Sequence, residues 1–280
     1  METFIEILKA IFIGIVQGIT EWLPVSSTGH MIIANEFVKL KVSDGCWSLF
    51  EVITQLGSIL AVIILFFDKL NPFSKGKTKV QKNQTWTLWL KVIVAVLPAA
   101  IIGIILEDWL DKTFYKFVPV AIALIVYGIL FIIIERINKT RKMKYESVYD
   151  IDYLTALEIG MFQVLSLIPG TSRSGSTILG ASTIKVSRTA AAEFSFFLAI
   201  PVMLGASALK VLKFLLDGLS LNSTEIIVLI SGTITAFLVS LFVIKFLMAF
   251  VKKHSFESFG WYRIALGIIL LIYYIIKISI

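Results

Sequence analysis

The tract EWLPVSSTGH at 21–30 puts a carboxylate, three hydroxyls and a histidine into ten positions. Gln17 precedes Glu21 by four residues, so on a helix the two share one face. A second tract, PGTSRSGST at 169–177, gathers hydroxyls around Arg173. Together these residues supply a nucleophile, a carboxylate, a histidine and a guanidinium, which is the equipment of phosphoryl transfer. Ser27 is the candidate nucleophile. Glu21 suits a hard divalent cation or a proton, and His30 suits proton transfer. Arg173 offers a planar fork that matches phosphate or carboxylate.

Each tract follows a proline and should open a short helix, near 28–38 and near 174–184. A helix N-terminus presents free N–H groups and partial positive charge, so both starts suit an anion. Ser26, Ser27, Thr28, Thr171, Ser172, Ser174, Ser176 and Thr177 add hydroxyl donors, or else cap helices and pack small between them. Gly170 joins Gln17 and these hydroxyls as a candidate for substrate binding. Glu51, Gln55, Glu158, Gln163 and Glu193 are weaker candidates that suit buried hydrogen bonding.

The elements around these tracts are apolar. The chain is 58% hydrophobic with a mean hydropathy of +0.90, above the roughly half expected of a soluble domain. Apolar stretches recur at 51–67, 86–106, 118–134, 190–216, 225–250 and 261–278. Each approaches the roughly 20 residues that cross about 30 Å of hydrocarbon as a helix. Period-2 alternation is absent, so the fold class is all-α: a polytopic membrane helical bundle. A central arginine costs about 2.5–3.5 kcal/mol in such a setting. Arg173 therefore either pairs with Glu21 or binds an anionic ligand, and the small residues around it favour the ligand. Cys46 is the only cysteine, which excludes an internal disulfide. The net charge of +7 is concentrated in loops and points to membrane orientation, with no nucleic-acid partner.

GIVQGITEWLPVSSTG (14–29) and GMFQVLSLIPGTSRSG (160–175) share a plan. One gap aligns Pro24 with Pro169 and Ser27 with Ser172. Loops 68–84, 135–152 and 251–254 are rich in lysine and arginine. Stretches 107–116 and 217–225 are acidic or neutral. The positive-inside rule puts the first set in the cytoplasm and the second outside; Lys210 and Lys213 count against it. The halves, 1–140 and 150–280, then read as inverted-topology repeats. Each has a re-entrant helix pair and three transmembrane helices, and both termini lie outside. A full first span with a cytoplasmic N-terminus is the alternative. In the re-entrant arrangement the two polar turns meet within the bilayer, the usual place for a site in such folds. Trp86, Trp89, Trp109, Trp261 and Tyr262 read as interfacial anchors.

QGITEWLPVSSTGH and PGTSRSGST resemble the two signature motifs of the bacitracin-resistance type of undecaprenyl-diphosphatase, and the resemblance spans essentially the whole chain. It implies hydrolysis of undecaprenyl diphosphate to the monophosphate and phosphate, which recycles the lipid carrier for peptidoglycan and confers bacitracin resistance. It also implies a multi-pass protein of the bacterial plasma membrane, with the site open to the outer face. The partners implied are the polyprenyl diphosphate lipid and the bilayer; a homodimer is left open. The first motif falls on Gln17 and Glu21, and the motif histidine on His30. The second motif falls on Pro169, Gly170, Ser172, Arg173, Ser174 and Thr177. Relatives with glutamate at the first position have two carboxylates where this chain has Gln17 and Glu21. A divalent cation, Mg or Ca, is expected, bridged by substrate phosphate and held by Glu21. The rival class is a carrier or flippase for a phosphate-bearing polyprenyl lipid, with or without coupled hydrolysis.

Overall fold

The computed structural model describes residues 2–114 and 116–279. Helix α1 (Glu2–Thr20) ends at the first polar turn, and α2 (Ser27–Phe37) leaves it. Ser43 caps α3 (Asp44–Leu65), its hydroxyl accepting from the Cys46 N–H at 3.2 Å. A short α4 (Phe67–Leu70) and a basic loop lead to α5 (Lys79–Phe114) and α6 (Phe117–Asn138). After residues 139–152, α7 (Tyr153–Val164) passes through a 3-10 turn, Leu165–Leu167, into the second polar turn. Then follow α8 (Arg173–Thr183), α9 (Arg188–Leu216), α10 (Ser223–Val251) and α11 (Glu257–Ser279).

Among the described residues, seven helices are long and apolar enough to cross a membrane: α1, α3, residues Lys79–Leu106 of α5, α6, α9, α10 and α11. The two short helices α2 and α8 have 11 residues each. At 1.5 Å per residue that is about 16 Å, half a hydrocarbon core. Residues 107–114, expected as loop, continue α5. Hydropathy marks the apolar length of a helix, while its hydrogen-bonded length runs on through polar helix formers. The side chains of Glu107, Asp108 and Asp111, which carry the acidic count there, lie outside the described residues.

Helix α1 runs parallel to α10. Thr3 meets Thr224 at one end, and Ser240 reaches the Gly18 carbonyl at the other. Between them, a Cβ on Gly14 would fall 2.5 Å from the Gly232 carbonyl oxygen, so only glycine allows this approach. Where α1 stops, α10 continues to Val251. Helix α7 lies along α5 in the same way. Lys91 donates to the Tyr149 carbonyl, Gly160 abuts Ala95, and Leu167 faces Gly103; α5 then continues to Phe114. Both polar turns thus open beside the body of a long apolar helix. Helices α6 and α11 pack antiparallel, from Gly128 against Gly260 to Phe117 against Tyr273.

Trp22, Phe194, Phe196, Phe197 and Phe256 are large, fully buried side chains of one core cluster. The Trp22 ring meets Phe196 edge-on at 5.2 Å, a favoured aromatic geometry. Large apolar side chains such as Ile104, Phe242 and Leu216 face outward. That surface would drive association in water but matches lipid tails.

Candidate active site

Two serines start the site. Ser26 and Ser172 have φ of 74° and 73°, a left-handed conformation that costs a non-glycine residue about 1–3 kcal/mol. Each then caps the helix that follows: Ser26 accepts from the Gly29 N–H at 3.2 Å and Ser172 from the Gly175 N–H at 3.1 Å. The caps equate Ser26 with Ser172, one residue away from the proline-based alignment. Prolines can slide within a turn, but a cap is fixed to its helix start. The corrected register makes Ser27 and Arg173 counterparts, each the first residue of its helix.

Their side chains meet at Glu21. Ser27 Oγ donates to Glu21 Oε2 at 2.9 Å, and Gln17 Nε2 donates to the same oxygen at 2.9 Å. Arg173 Nη2 donates to Glu21 Oε1 at 3.1 Å. The pair is nearly dry, with side chains 10% and 4% exposed. Arg173 Nη1 donates to the Ser195 carbonyl at 2.7 Å and lies 3.2 Å from its hydroxyl. Thr177 is 2.7 Å from that hydroxyl, and the Trp22 ring lies 5.6 Å from the guanidinium. A guanidinium has five N–H donors. Glu21 and Ser195 leave some of them for a ligand, and Nε is buried without a partner. Ser174 lies within hydrogen-bond reach of the Glu21 and Leu23 carbonyls, tying α8 to the first turn.

The structural account of Arg173, a pair with Glu21, is therefore observed, and the pairing leaves donors of the guanidinium unused. Ser26, Ser172 and Thr177 serve as caps or braces. Thr28 is half-buried on α2. Gly170 has φ of 94°, and a Cβ there would lie 2.6 Å from the Val120 carbonyl oxygen, so glycine is required. The Thr171 hydroxyl is buried without a partner.

His30 lies between the cap of α2 and α11. Its Nδ1 is 2.7 Å from the Ser26 carbonyl and its Nε2 is 2.6 Å from the Tyr262 hydroxyl. A carbonyl only accepts, so Nδ1 carries a proton. Neither nitrogen is bonded to Ser27. The ring stands on the α11 side of α2. Tyr262, expected as an anchor, is its partner; Trp89 likewise donates to the Leu70 carbonyl at 2.8 Å. Trp86, Trp109 and Trp261 are exposed. Glu193 forms an ion pair with Lys69 at 2.7 Å, and Gln163 is buried with no partner for its amide.

Arg263, Ser195 and Trp22 belong to the site and were not singled out from sequence. Arg263 had a signal: it interrupts the apolar run 261–278, the same anomaly that drew attention to Arg173. Ser195 had none, because a serine in a helix usually bonds its own backbone.

The donor set suits a hard cation shared with a substrate better than a cage made by the protein. It offers one carboxylate, one amide and a hydroxyl, and magnesium commonly takes one or two carboxylates plus substrate phosphates. Among the described residues, no group of three His, Cys, Asp or Glu side chains is placed to hold an ion.

A family model described as Bacitracin resistance protein BacA matches residues 10–269. An undecaprenyl-diphosphatase of Enterococcus faecalis (strain ATCC 700802 / V583) is 57% identical over 272 residues, 97% of this chain and 99% of that protein. Undecaprenyl-diphosphatase 1 of Clostridioides difficile (strain 630) is 57% identical over 276 residues, 98% of this chain and 99% of that protein. An undecaprenyl-diphosphatase of Acetivibrio thermocellus is 53% identical over 271 residues, 97% and 98% of the respective chains.

Proposed function

The chain belongs to the Bacitracin resistance protein BacA family, and on that premise we propose that it hydrolyses undecaprenyl diphosphate to undecaprenyl phosphate and inorganic phosphate. The observation that carries the chemistry is the convergence of Ser27 and Arg173, from two helix starts, on one buried carboxylate, Glu21.

Ser27 Oγ attacks the terminal phosphorus as its proton passes to Glu21, to which it already donates. The Oγ–P bond forms and the P–O bond to the lipid monophosphate breaks; undecaprenyl phosphate leaves with the bridging oxygen. Arg173 and the free N–H groups at the starts of α2 and α8 hold the equatorial oxygens, where charge spreads during transfer. Glu21 passes the Ser27 proton to the departing oxygen; it then takes a proton from a water that attacks the phosphoseryl phosphorus and returns it to Ser27 Oγ as the Oγ–P bond breaks, releasing phosphate and free Ser27. Glu21 would hold a divalent cation, which would supply further neutralisation of that charge. His30, held by Ser26 and Tyr262, orients the start of α2.

Several packing features support reading the halves as inverted repeats with re-entrant pairs. Turn 21–26 opens beside α10 and turn 165–172 beside α5, the equivalent helix of the other half. Both turns carry the same capped serine. With the basic loops in the cytoplasm, the first pair enters from outside, which supports a plasma-membrane enzyme with its site open to the outer face. The isoprenoid stays between helices while its head group reaches the turns. Phosphate release from undecaprenyl diphosphate by the purified protein tests this reading. Lipid movement across vesicles without phosphate release would favour the carrier.

A further inference from the structure

We propose that Arg263 is a positioning residue that holds the two polar turns in catalytic register, an inference that rests on the phosphatase reading above. Arg263 comes from α11, outside both motifs. Its Nη1 donates to the Pro24 carbonyl at 3.0 Å. Its Nη2 donates to the Gly170 carbonyl at 2.8 Å and the Thr171 carbonyl at 2.9 Å. One guanidinium therefore bridges the first turn and the second.

The burial of this group is unusual. Arg263 is 0% exposed, and among the described residues no ion pair links it to a carboxylate. The Tyr127 ring lies 5.5 Å from the guanidinium. A charge buried without a counter-ion is costly, so a fold that only needed a strut gains little from one. Its charge lies against the start of α8: a Cβ on Gly175 would fall 2.9 Å from Arg263 Nη1. Gly175 is thus the residue that lets the guanidinium pass beneath the helix start. The positive charge adds to the helix-terminus field that favours a diphosphate.

The carbonyls it grips are those that place the reacting groups. Pro24 lies three residues before Ser27, and Thr171 two before Arg173. Arg263 bonds to the side chain of neither. It acts through backbone, fixing the distance between a nucleophile on one turn and an oxyanion donor on the other. A misplacement of about 1 Å in such a pair costs on the order of 100-fold in rate. A lysine keeps the charge but has no planar fork to span both turns.

The test is kinetics of Arg263→Lys, alone and combined with Arg173→Lys, in the full-length detergent-purified protein, with rates normalised to the folded fraction from thermal melts. We expect kcat to fall by about 10- to 100-fold with KM changed less than about threefold. If Arg263 works through the register of Arg173, the double variant loses little more than the worse single variant. A kcat per folded molecule within about twofold of wild type would overturn the proposal. So would losses that multiply in the double variant, because independent strut and clamp roles are additive. Wild-type protein that releases no phosphate in the same assay would overturn the phosphatase reading and this inference with it. A normal Arg263→Lys beside an active wild type would overturn this inference alone.

Discussion

Ser27 stands at the first position of a helix with its hydroxyl already donating to a carboxylate, so an acceptor for its proton is in place. Ser27→Ala removes one hydroxyl from a half-buried position and should leave folding intact. Phosphate release should then fall by about a thousandfold or more, as for other nucleophile deletions; a loss under about tenfold would leave Ser27 as a binding group only. Arg173→Lys separates pairing from clamping. Lysine can balance Glu21 but cannot present two parallel donors to a phosphoryl group. We expect kcat to drop by roughly 100- to 1000-fold, the scale of one lost oxyanion donor, and steady-state kinetics with a short-chain polyprenyl diphosphate would measure it. Gln17→Glu tests the cation. Gln17 now donates to Glu21 Oε2, and a carboxylate there would instead repel it unless a cation lay between them. Activity should stay within a few-fold of wild type at saturating magnesium and fall more steeply than wild type as a chelator lowers it. Identical chelator curves for the two proteins would remove Glu21 as a cation ligand.

At the scale of elements, α7 depends on its start. The Asp152 carboxylate accepts from the Thr155 N–H at 2.8 Å and from the Tyr145 hydroxyl at 2.8 Å. These bonds, the backbone one foremost, hold its carboxyl below the usual aspartate range. A lowered pKa means that the folded state gains stability from the ionised form. That gain is complete above the unfolded pKa near 4 and is lost as pH falls through the lower folded value. Asp152→Ala should cost about 1 kcal/mol, as N-cap losses do. It should also flatten the dependence of melting temperature on pH below about 4. A variant whose melting temperature tracks wild type from pH 7 to pH 3 would show that α7 is held by its packing on α5 alone.

At the scale of the molecule, the arrangement fixes which helices run together but not which side of a membrane they face. The lysines and arginines supply that, and labelling checks it. Lys77 is half-buried, bonded to Thr85 and the Asn71 carbonyl, whereas Lys75 is exposed. With buried Cys46 replaced by alanine, Lys75→Cys should resist a membrane-impermeant thiol reagent in intact cells and react after permeabilisation. Strong labelling in intact cells would reverse the orientation, and the site would then open toward the cytoplasm.

Hydropathy alone determined that this chain is a helical membrane bundle, because spanning segments must be apolar for about 20 residues whatever they pack against. The motif tracts named Ser27, Glu21 and Arg173 as residues of one site, because residue types are local, and the fold brings their side chains together. Three matters were decided only by tertiary structure. The register of the two turns came from the Ser26 and Ser172 caps, which depend on backbone angles that no residue type announces. His30 was drawn to Tyr262, because a ring nitrogen takes the partner its helix face presents, and that partner lies 232 positions away in the chain. Arg263 joined the site from α11 because carbonyls at Pro24, Gly170 and Thr171 converge only after folding. Sequence names side chains, but the main-chain acceptors that hold a buried charge are the same at every residue, and only packing selects them.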